Sequence, residues 1–171
     1  RELVRCVVPA SAVGTAGAVP VRLLNNAAVY TSTVAYTYRD AAMVDRVHPV
    51  AGVLGGGTVV TVYGSGFVET AEAHCKFGGE SALVVARLVA HGTLECSSPR
   101  PSSSGYVLLE VSMNGQDFSS DGVLYEYQQA VQVLAVEPAR GPSEGGTFVN
   151  VSGTGFSSRA AALGYIWCRF N

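Results

Sequence analysis

Apolar and polar residues alternate along short stretches of this chain, with the period of two that β-strands show. Between residues 58 and 63, Val60 and Val62 fall on one face of a predicted strand and Thr61 on the other. The same alternation predicts two more rows of inward side chains, which are Ala73, Cys75 and Phe77, and Val107, Leu109 and Val111. No helical period persists over a long window, so the predicted fold class is all-β.

Turn and breaker residues indicate where these strands end. A first strand that contains Val44 and Val47 should end at Pro49, because proline cannot donate a hydrogen bond to a strand ladder. Asn114-Gly115 predicts a hairpin turn, since this pair favours positive φ. Residues 83–88 and 93–97 should supply one or two more strands, and residues 123–127 the last one.

The sequence also contains an internal repeat. Pro138-Ala139-Arg140-Gly141 repeats Pro49-Val50-Ala51-Gly52 at a shift of 138 − 49 = 89. The same shift carries Gly56-Gly57-Thr58 onto Gly145-Gly146-Thr147, Gly64-Ser65-Gly66-Phe67 onto Gly153-Thr154-Gly155-Phe156, and Tyr36 and Tyr38 onto Tyr125 and Tyr127. Cys6 and Pro9 match Cys96 and Pro99 at a shift of 96 − 6 = 90, and Cys75-Lys76-Phe77 matches Cys168-Arg169-Phe170 at 168 − 75 = 93. The last copy therefore holds four extra residues around positions 160–164.

The repeat predicts three domains, of which one is whole. Residues 1–40 should be the C-terminal half of a first domain, 41–128 a complete domain, and 129–171 the N-terminal half of a third. A unit of this size suits an immunoglobulin-like sandwich, which takes about 100 residues. Only Gln128, Gln129 and Ala130 separate the second domain from the next predicted strand, so neighbouring domains should abut as beads on a short-linker rod.

Composition and charge exclude several classes of function. Charged residues make up 14% of the chain, and the net charge is −2, so there is no general basic field for nucleic acid or anionic lipid. The longest apolar stretch, residues 82–90, is far shorter than the roughly 18 residues of a membrane span. The chain looks like an internal piece of a longer protein, so any membrane attachment is expected to use parts not present here.

Several motifs could suggest a catalytic or metal-binding site. The run Gly55-Gly56-Gly57 lacks the Lys-Ser/Thr of a phosphate loop, and Gly64-Ser65-Gly66 lacks the spacing of a nucleophile elbow. Asp117 and Asp121 flank a turn, where a cation site and solvated acids are both open. The histidines have no ligand-spaced partners, and they are His48, His74 and His91. We expect no enzyme activity, no cofactor and no metal.

These motifs resemble the IPT/TIG domain, an immunoglobulin-like (E-set type) β-sandwich of plexins, the hepatocyte growth factor receptor and certain transcription factors. The resemblance rests on the entry motif from Pro138 to Thr147, and on Gly56-Gly57-Thr58, Cys75-Lys76-Phe77-Gly78, Cys96, Pro99, Asn114-Gly115, Phe118, Tyr125 and Tyr127. The complete copy departs from it in having Val53 where the motif has Pro142. In the family the positions of Cys75 and Cys96 are bonded, which implies this disulfide here.

The same resemblance leaves Cys6 and Cys168 unpaired, with partners in upstream and downstream sequence. The alternative for all four cysteines is a set of buried free thiols in a reducing cell. Asn150-Val151-Ser152 is a glycosylation sequon, and strand alternation turns Asn150 outward. A disulfide and a used sequon would both place the protein outside the cell.

Trp167 is a candidate contact residue, because it alternates with Ile166 and Cys168 and would point outward if they face the core. The alternative is that it packs beneath the insertion near Leu163.

Three functions remain open. The first is a non-catalytic tandem segment of a cell-surface or secreted protein, serving as a spacer and as a contact module for a protein or glycan. The others are an intracellular dimerisation domain of the transcription-factor type, with free thiols, and an accessory module of a secreted carbohydrate-active enzyme. Flanking sequence would separate the three.

Overall fold

A computed structural model of the chain describes residues 3–11, 14, 16–25, 28–29, 34–79, 82–164 and 166–170. The chain divides into two compact units, Arg1–Ala41 and Ala42–Asn171. The first unit contains the strands β1 (Gly17–Val21), β2 (Leu24–Asn25), β3 (Ala28–Val29) and β4 (Val34–Tyr38). Antiparallel pairs join β1 to β4 and β2 to β3. The residues of β1 are all exposed.

The second unit contains the remaining strands and one short helix. These are β5 (Met43–His48), β6 (Ala51–Val53), β7 (Val59–Ser65), β8 (His74–Phe77), β9 (Leu83–Val85), β10 (Arg87–Ala90), β11 (Thr93–Ser97), β12 (Gly105–Ser112), β13 (Leu124–Gln128), β14 (Gln132–Glu137), β15 (Asn150–Thr154) and α1 (Ser158–Ala162). In the described part of the chain, no helix is long and apolar enough to cross a membrane.

Strands β5 to β13 form a sandwich of two sheets. One sheet has the order β10-β11-β7-β5 and the other the order β6-β13-β12-β8-β9. The chain changes sheets after β5, because Pro49 ends that strand and β6 then pairs parallel with β13 in the opposite sheet. This two-sheet, mostly antiparallel arrangement confirms the predicted immunoglobulin-like class.

The core lies between these two sheets. The predicted inward rows are buried: Val60 and Val62 on β7, Cys75 and Phe77 on β8, and Leu109 and Val111 on β12. Apart from Val107, which is only half-buried, each predicted inward position in this domain belongs to the core. The other core residues are Val44, Val47, Val50, Phe67, Ala73, Ala86, Leu94, Cys96, Tyr125 and Tyr127.

Two local predictions need correction. Residues 83–97 form three strands instead of one or two, because the chain crosses between sheets at the buried Ala86 and so splits β9 from β10. Asn114-Gly115 is not a two-residue hairpin, since residues 113–123 connect β12 to β13. The Asn114 Oδ1 instead accepts hydrogen bonds from the backbone N–H groups of Gln116 and Asp117, at 3.0 and 2.9 Å, which makes an Asx turn.

The second unit continues beyond β13 with an antiparallel pair and the helix. The connection at residues 129–131 leads to β14, which pairs with β15. The insertion predicted around positions 160–164 overlaps α1, a helix of five residues. The repeat places Cys168 and Phe170 at the positions of the inward Cys75 and Phe77, which predicts that both face a core. Residues 166–170 form no strand and both side chains are exposed, so this prediction is wrong for this structure. The described chain offers no strand to pair with them.

Candidate functional site

A disulfide joins the two sheets of the sandwich. Cys75 on β8 and Cys96 on β11 are bonded, with their Cα atoms 6.4 Å apart, and both are buried. The pairing implied by the family resemblance is therefore present. Cys6 and Cys168 are free and exposed. Because the bonded strands belong to opposite sheets, the disulfide locks the sandwich across its core.

Two tyrosines of β13 pack beside this disulfide region. Phe77 and the rings of Tyr125 and Tyr127 form edge-to-face contacts, with centroids 5.1 Å apart for Phe77–Tyr125 and for Tyr125–Tyr127. The Tyr127 hydroxyl donates a hydrogen bond to the carbonyl of Pro99 at 2.8 Å. Burial raises the pKa of Tyr127 to about 12, with a further increase from the neighbouring Tyr125. Burial also raises the pKa of Tyr125, against the opposing effect of the Ser98 and Thr58 hydroxyls.

The glycine run at residues 55–57 is a strand-entry turn. Gly56 and Gly57 have φ of 73° and 78°, and the Gly57 N–H donates to the carbonyl of Ser98 at 2.7 Å. A Cβ on Gly56 would lie 2.8 Å from the backbone nitrogen of Arg100. The glycines are thus explained by positive φ and by close backbone approach.

The acids and histidines singled out from the sequence do not converge. Asp121 Oδ2 accepts the backbone N–H of Val44 at 2.7 Å, so it holds the start of β5, and Asp117 accepts from Asn114. His74 Nδ1 lies 2.8 Å from the carbonyl oxygen of Glu72, while His48 and His91 are exposed. Among the residues that the structure describes, no group of three or more His, Cys, Asp or Glu side chains could hold a metal ion.

Outward residues of β8 and β12 form a small polar cluster. Lys76 Nζ lies 2.8 Å from Glu110 Oε2, and both side chains are largely covered. The same ammonium lies 4.4 Å from the centroid of the Phe118 ring. Lys76 alternates with the buried Cys75 and Phe77 and so faces away from the core, where its partners neutralise and cover it.

Trp167 lies at an apolar groove in the second unit. The groove has a volume of about 740 Å³, and its lining includes Val50, Phe156, Trp167 and Phe170. Trp167 is 84% exposed, so it is not packed beneath the insertion. Its use as a contact residue stays a prediction.

The other groove residues have counterparts in the core of the sandwich. A shift of 89 carries Val44, Val47, Val62 and Phe67 onto Val133, Val136, Val151 and Phe156. The first four are buried in the core, whereas the second four line the groove. The same kind of side chain thus occurs at the same place in the repeat, covered in one copy and open in the other.

Asn150 begins β15 and lies opposite Glu137 on β14. It is exposed, while Val149 and Val151 on either side are half-buried. The asparagine of the sequon therefore points outward, and its glycosylation stays a prediction.

Sequence reasoning missed a polar contact between β13 and the segment around α1. Ser157 Oγ donates to Glu126 Oε2 at 2.7 Å, and Arg159 Nη1 donates to the carbonyl of Leu124 at 3.0 Å. The insertion of four residues was the signal that could have drawn attention to this segment.

Comparisons with known proteins give a consistent picture. The sequence model of the family described as "IPT/TIG domain" matches residues 42–127. Plexin-B2 of Mus musculus is 34% identical over 122 residues, which cover 66% of this chain and 6% of the plexin. Fibrocystin-L of Homo sapiens is 33% identical over 160 residues, which cover 91% of this chain and 4% of fibrocystin-L. The chain thus spans only a small part of the length of these curated relatives.

One solved structure, the full extracellular region of plexin A4 with domains 1 to 10, aligns with a TM-score of 0.50. Its sequence identity is 17% over 71% of this chain and 10% of that one, so the likeness concerns the fold alone. The disulfide and the plexin and fibrocystin-L relatives agree with the predicted extracellular or cell-surface location. By its sequence, its sandwich and its match to the family over residues 42–127, the chain belongs to the IPT/TIG domain family.

Proposed function

We propose that this chain is a non-catalytic tandem IPT/TIG segment that acts as a spacer and as a contact module for a protein or glycan. Its domains are residues 1–40, the C-terminal half of a first copy, 41–128, a complete copy, and 129–171, the N-terminal half of a third. The domains follow one another along a short-linker rod.

The observation that carries this proposal is a strand pair that occurs twice. In β14–β15, Gln132 lies opposite Thr154, and the register shifts between Val133 and Ala135. In β5–β7, Met43 lies opposite Ser65, and the register shifts between Val44 and Arg46. Each position in the later pair lies 89 residues after its counterpart, as in 132 − 43, and this shared register supports the proposed repeat.

The first unit supplies a second correspondence. Tyr38 donates its hydroxyl hydrogen bond to the carbonyl of Pro9 at 2.8 Å, as Tyr127 does to Pro99. The rings of Tyr36 and Tyr38 meet edge to face at 5.1 Å, as those of the later tyrosine pair do. These features support residues 1–40 as the end of a domain of the same kind.

The apolar groove fits the same division of the chain. If residues 129–171 are the first half of a domain, their inward side chains belong to a core whose other half is contributed by later strands. The groove would then be an incomplete core. The exposed Cys168 has the place of Cys75, so its partner would come from that later half.

The disulfide weighs against the intracellular interpretation, because such bonds persist in oxidising compartments. The plexin-B2 and fibrocystin-L relatives support the same choice. A spacer in that setting needs rigid domains and short connections, and the connection between β13 and β14 is residues 129–131.

Small-angle scattering on a multi-repeat stretch of the parent protein tests the spacer. Its maximum dimension should increase in proportion to the number of repeats, relative to a single domain of residues 41–128. A compact particle whose dimension hardly increases with added repeats would overturn the rod.

A further inference from the structure

The segment from Ser157 to Leu163 lies where the last copy of the repeat is longer than the complete domain. Phe156 and Cys168 correspond to Phe67 and Cys75, and the interval between them is four residues longer than in the complete domain. The longer interval contains α1, in which the Ala161 N–H donates a hydrogen bond to the Ser157 carbonyl at 3.0 Å.

Ser157 joins this segment to the last strand of the complete domain. Its hydroxyl donates to Glu126 Oε2 at 2.7 Å, and Gln128 Nε2 donates to the same oxygen at 3.0 Å. Ser157 is buried, and Glu126 is half-buried. A carboxylate that accepts two donors away from bulk water makes stronger hydrogen bonds than a neutral acceptor.

Arg159 makes a second attachment on the same strand. Its Nη1 donates to the carbonyl oxygen of Leu124 at 3.0 Å, and the guanidinium lies 5.9 Å from the centroid of the Tyr106 ring on β12. Leu163 and Arg159 also line a cavity of about 460 Å³ together with Asp45 and Val123 of the sandwich. The helix therefore contacts the sandwich through Arg159, and Leu163, just after the helix, lines the same cavity.

The linker that connects β13 to β14 is also in close contact with the turn before Ser157. Gly155 has φ of 78°, and a Cβ at this position would lie 2.9 Å from the carbonyl oxygen of Ala130 and 3.1 Å from that of Gln129. The turn before Ser157 thus packs directly against residues 129–131, so the segment and the linker hold each other in place.

We infer that residues 157–163 form an interdomain latch, whose partner is the outer surface of β13 and β12 in the preceding repeat. The latch fixes the angle between the complete domain and the copy that follows it. This inference rests on the proposed tandem arrangement and adds the residues that make one junction rigid. Ser157 and Arg159 are positioning residues in this role, and their acceptors on β13 are the Glu126 carboxylate and the Leu124 carbonyl, respectively.

Double electron–electron resonance tests the latch directly, because it measures the distribution of distances between two spin labels. The 171-residue chain would carry Cys6→Ser and Cys168→Ser, with labels at Ser103→Cys and Arg140→Cys, all of which are exposed positions. The parent should give one narrow distance distribution. Arg159→Ala and Ser157→Ala should each broaden it at least twofold.

Matched variants separate the latch from general destabilisation. Glu126→Ala should broaden the distribution, whereas Glu126→Gln keeps an acceptor for Ser157 and should broaden it less. Arg169→Ala removes an exposed cation that lies outside the latch, six residues after its end, and should leave the width unchanged. Circular dichroism of each variant confirms that its strands are intact.

A narrow parent distribution that none of the latch variants alters would overturn the latch but leave the tandem spacer standing. A parent distribution that is already broad would overturn the latch and the rigid junction together. The scattering experiment on several repeats then decides independently whether an extended spacer survives.

Discussion

Removal of the Cys75–Cys96 disulfide should weaken the sandwich of residues 42–128 by about 3 kcal/mol. The bond spans a sequence separation of 21 residues, and the chain-entropy model assigns about 3 kcal/mol to a loop of that size. The double variant Cys75→Ala/Cys96→Ala also deletes two buried sulfur atoms, which adds a cavity cost. Since 1.4 kcal/mol is tenfold in an equilibrium constant, the unfolded population should rise by roughly 100-fold or more.

Native-state hydrogen exchange on the 171-residue chain measures this loss where it occurs. Core amides of β7 and β12 exchange through unfolding of the sandwich, so their protection factors should fall by about 100-fold in the double variant. Cys6→Ala/Cys168→Ala is the matched control, because both of its thiols are free and exposed. A decrease below threefold, or an equal decrease in the control, would refute the reasoning.

Three further outcomes are expected. Tyr127 has a folded pKa of about 12 against an ordinary value of 10, so the unfolded state loses this proton first and stability should fall as pH rises from 10 to 12. Tyr127→Phe should make urea midpoints less steeply dependent on pH in that window, and an unchanged slope would refute this. Gly56→Ala should lower the free energy of unfolding by about 2 kcal/mol, because φ at this residue is 73° and the added Cβ would crowd the backbone of Arg100. Gly55→Ala is the control, since a Cβ there meets open space, and equal melting temperatures of the two variants would contradict this. The chain secreted from mammalian cells should migrate faster on gels after treatment with peptide-N-glycosidase F, and Asn150→Gln should abolish this change in mobility. A mobility change that persists in Asn150→Gln would locate the glycan elsewhere.

The core of the complete domain could be predicted from the sequence because alternation is a local signal. Val60, Val62, Cys75 and Phe77 each follow from period two, and each is buried. Strand β5 likewise ends just before Pro49, because proline has no backbone N–H to donate to the strand ladder.

Features that depend on distant partners could not be predicted in the same way. The parallel pairing of β6 with β13 joins Ala51 to Glu126, and nothing local to either strand records it. Helix α1 is too short to show a period. Cys168 and Phe170 have the alternation of a buried strand, but burial also needs strands to cover them, and the described chain provides none.

The candidate site shows the same division. The disulfide pair was implied by motif positions, whereas the hydrogen bond from Ser157 to Glu126 spans 31 residues and joins types that are common on any surface. Only the unequal lengths of the repeat copies hinted that this segment has a role of its own.

Disulfide mapping of the secreted parent protein, by mass spectrometry of unreduced peptides, tests the tandem arrangement most directly. The account predicts Cys75 linked to Cys96, Cys168 linked to a cysteine that follows it, and Cys6 linked to one that precedes it. Each link should lie within a single domain, at a separation near the 21 residues of the observed bond. A link between Cys6 and Cys168, or a parent protein in which both remain free thiols, would contradict the division into three repeats.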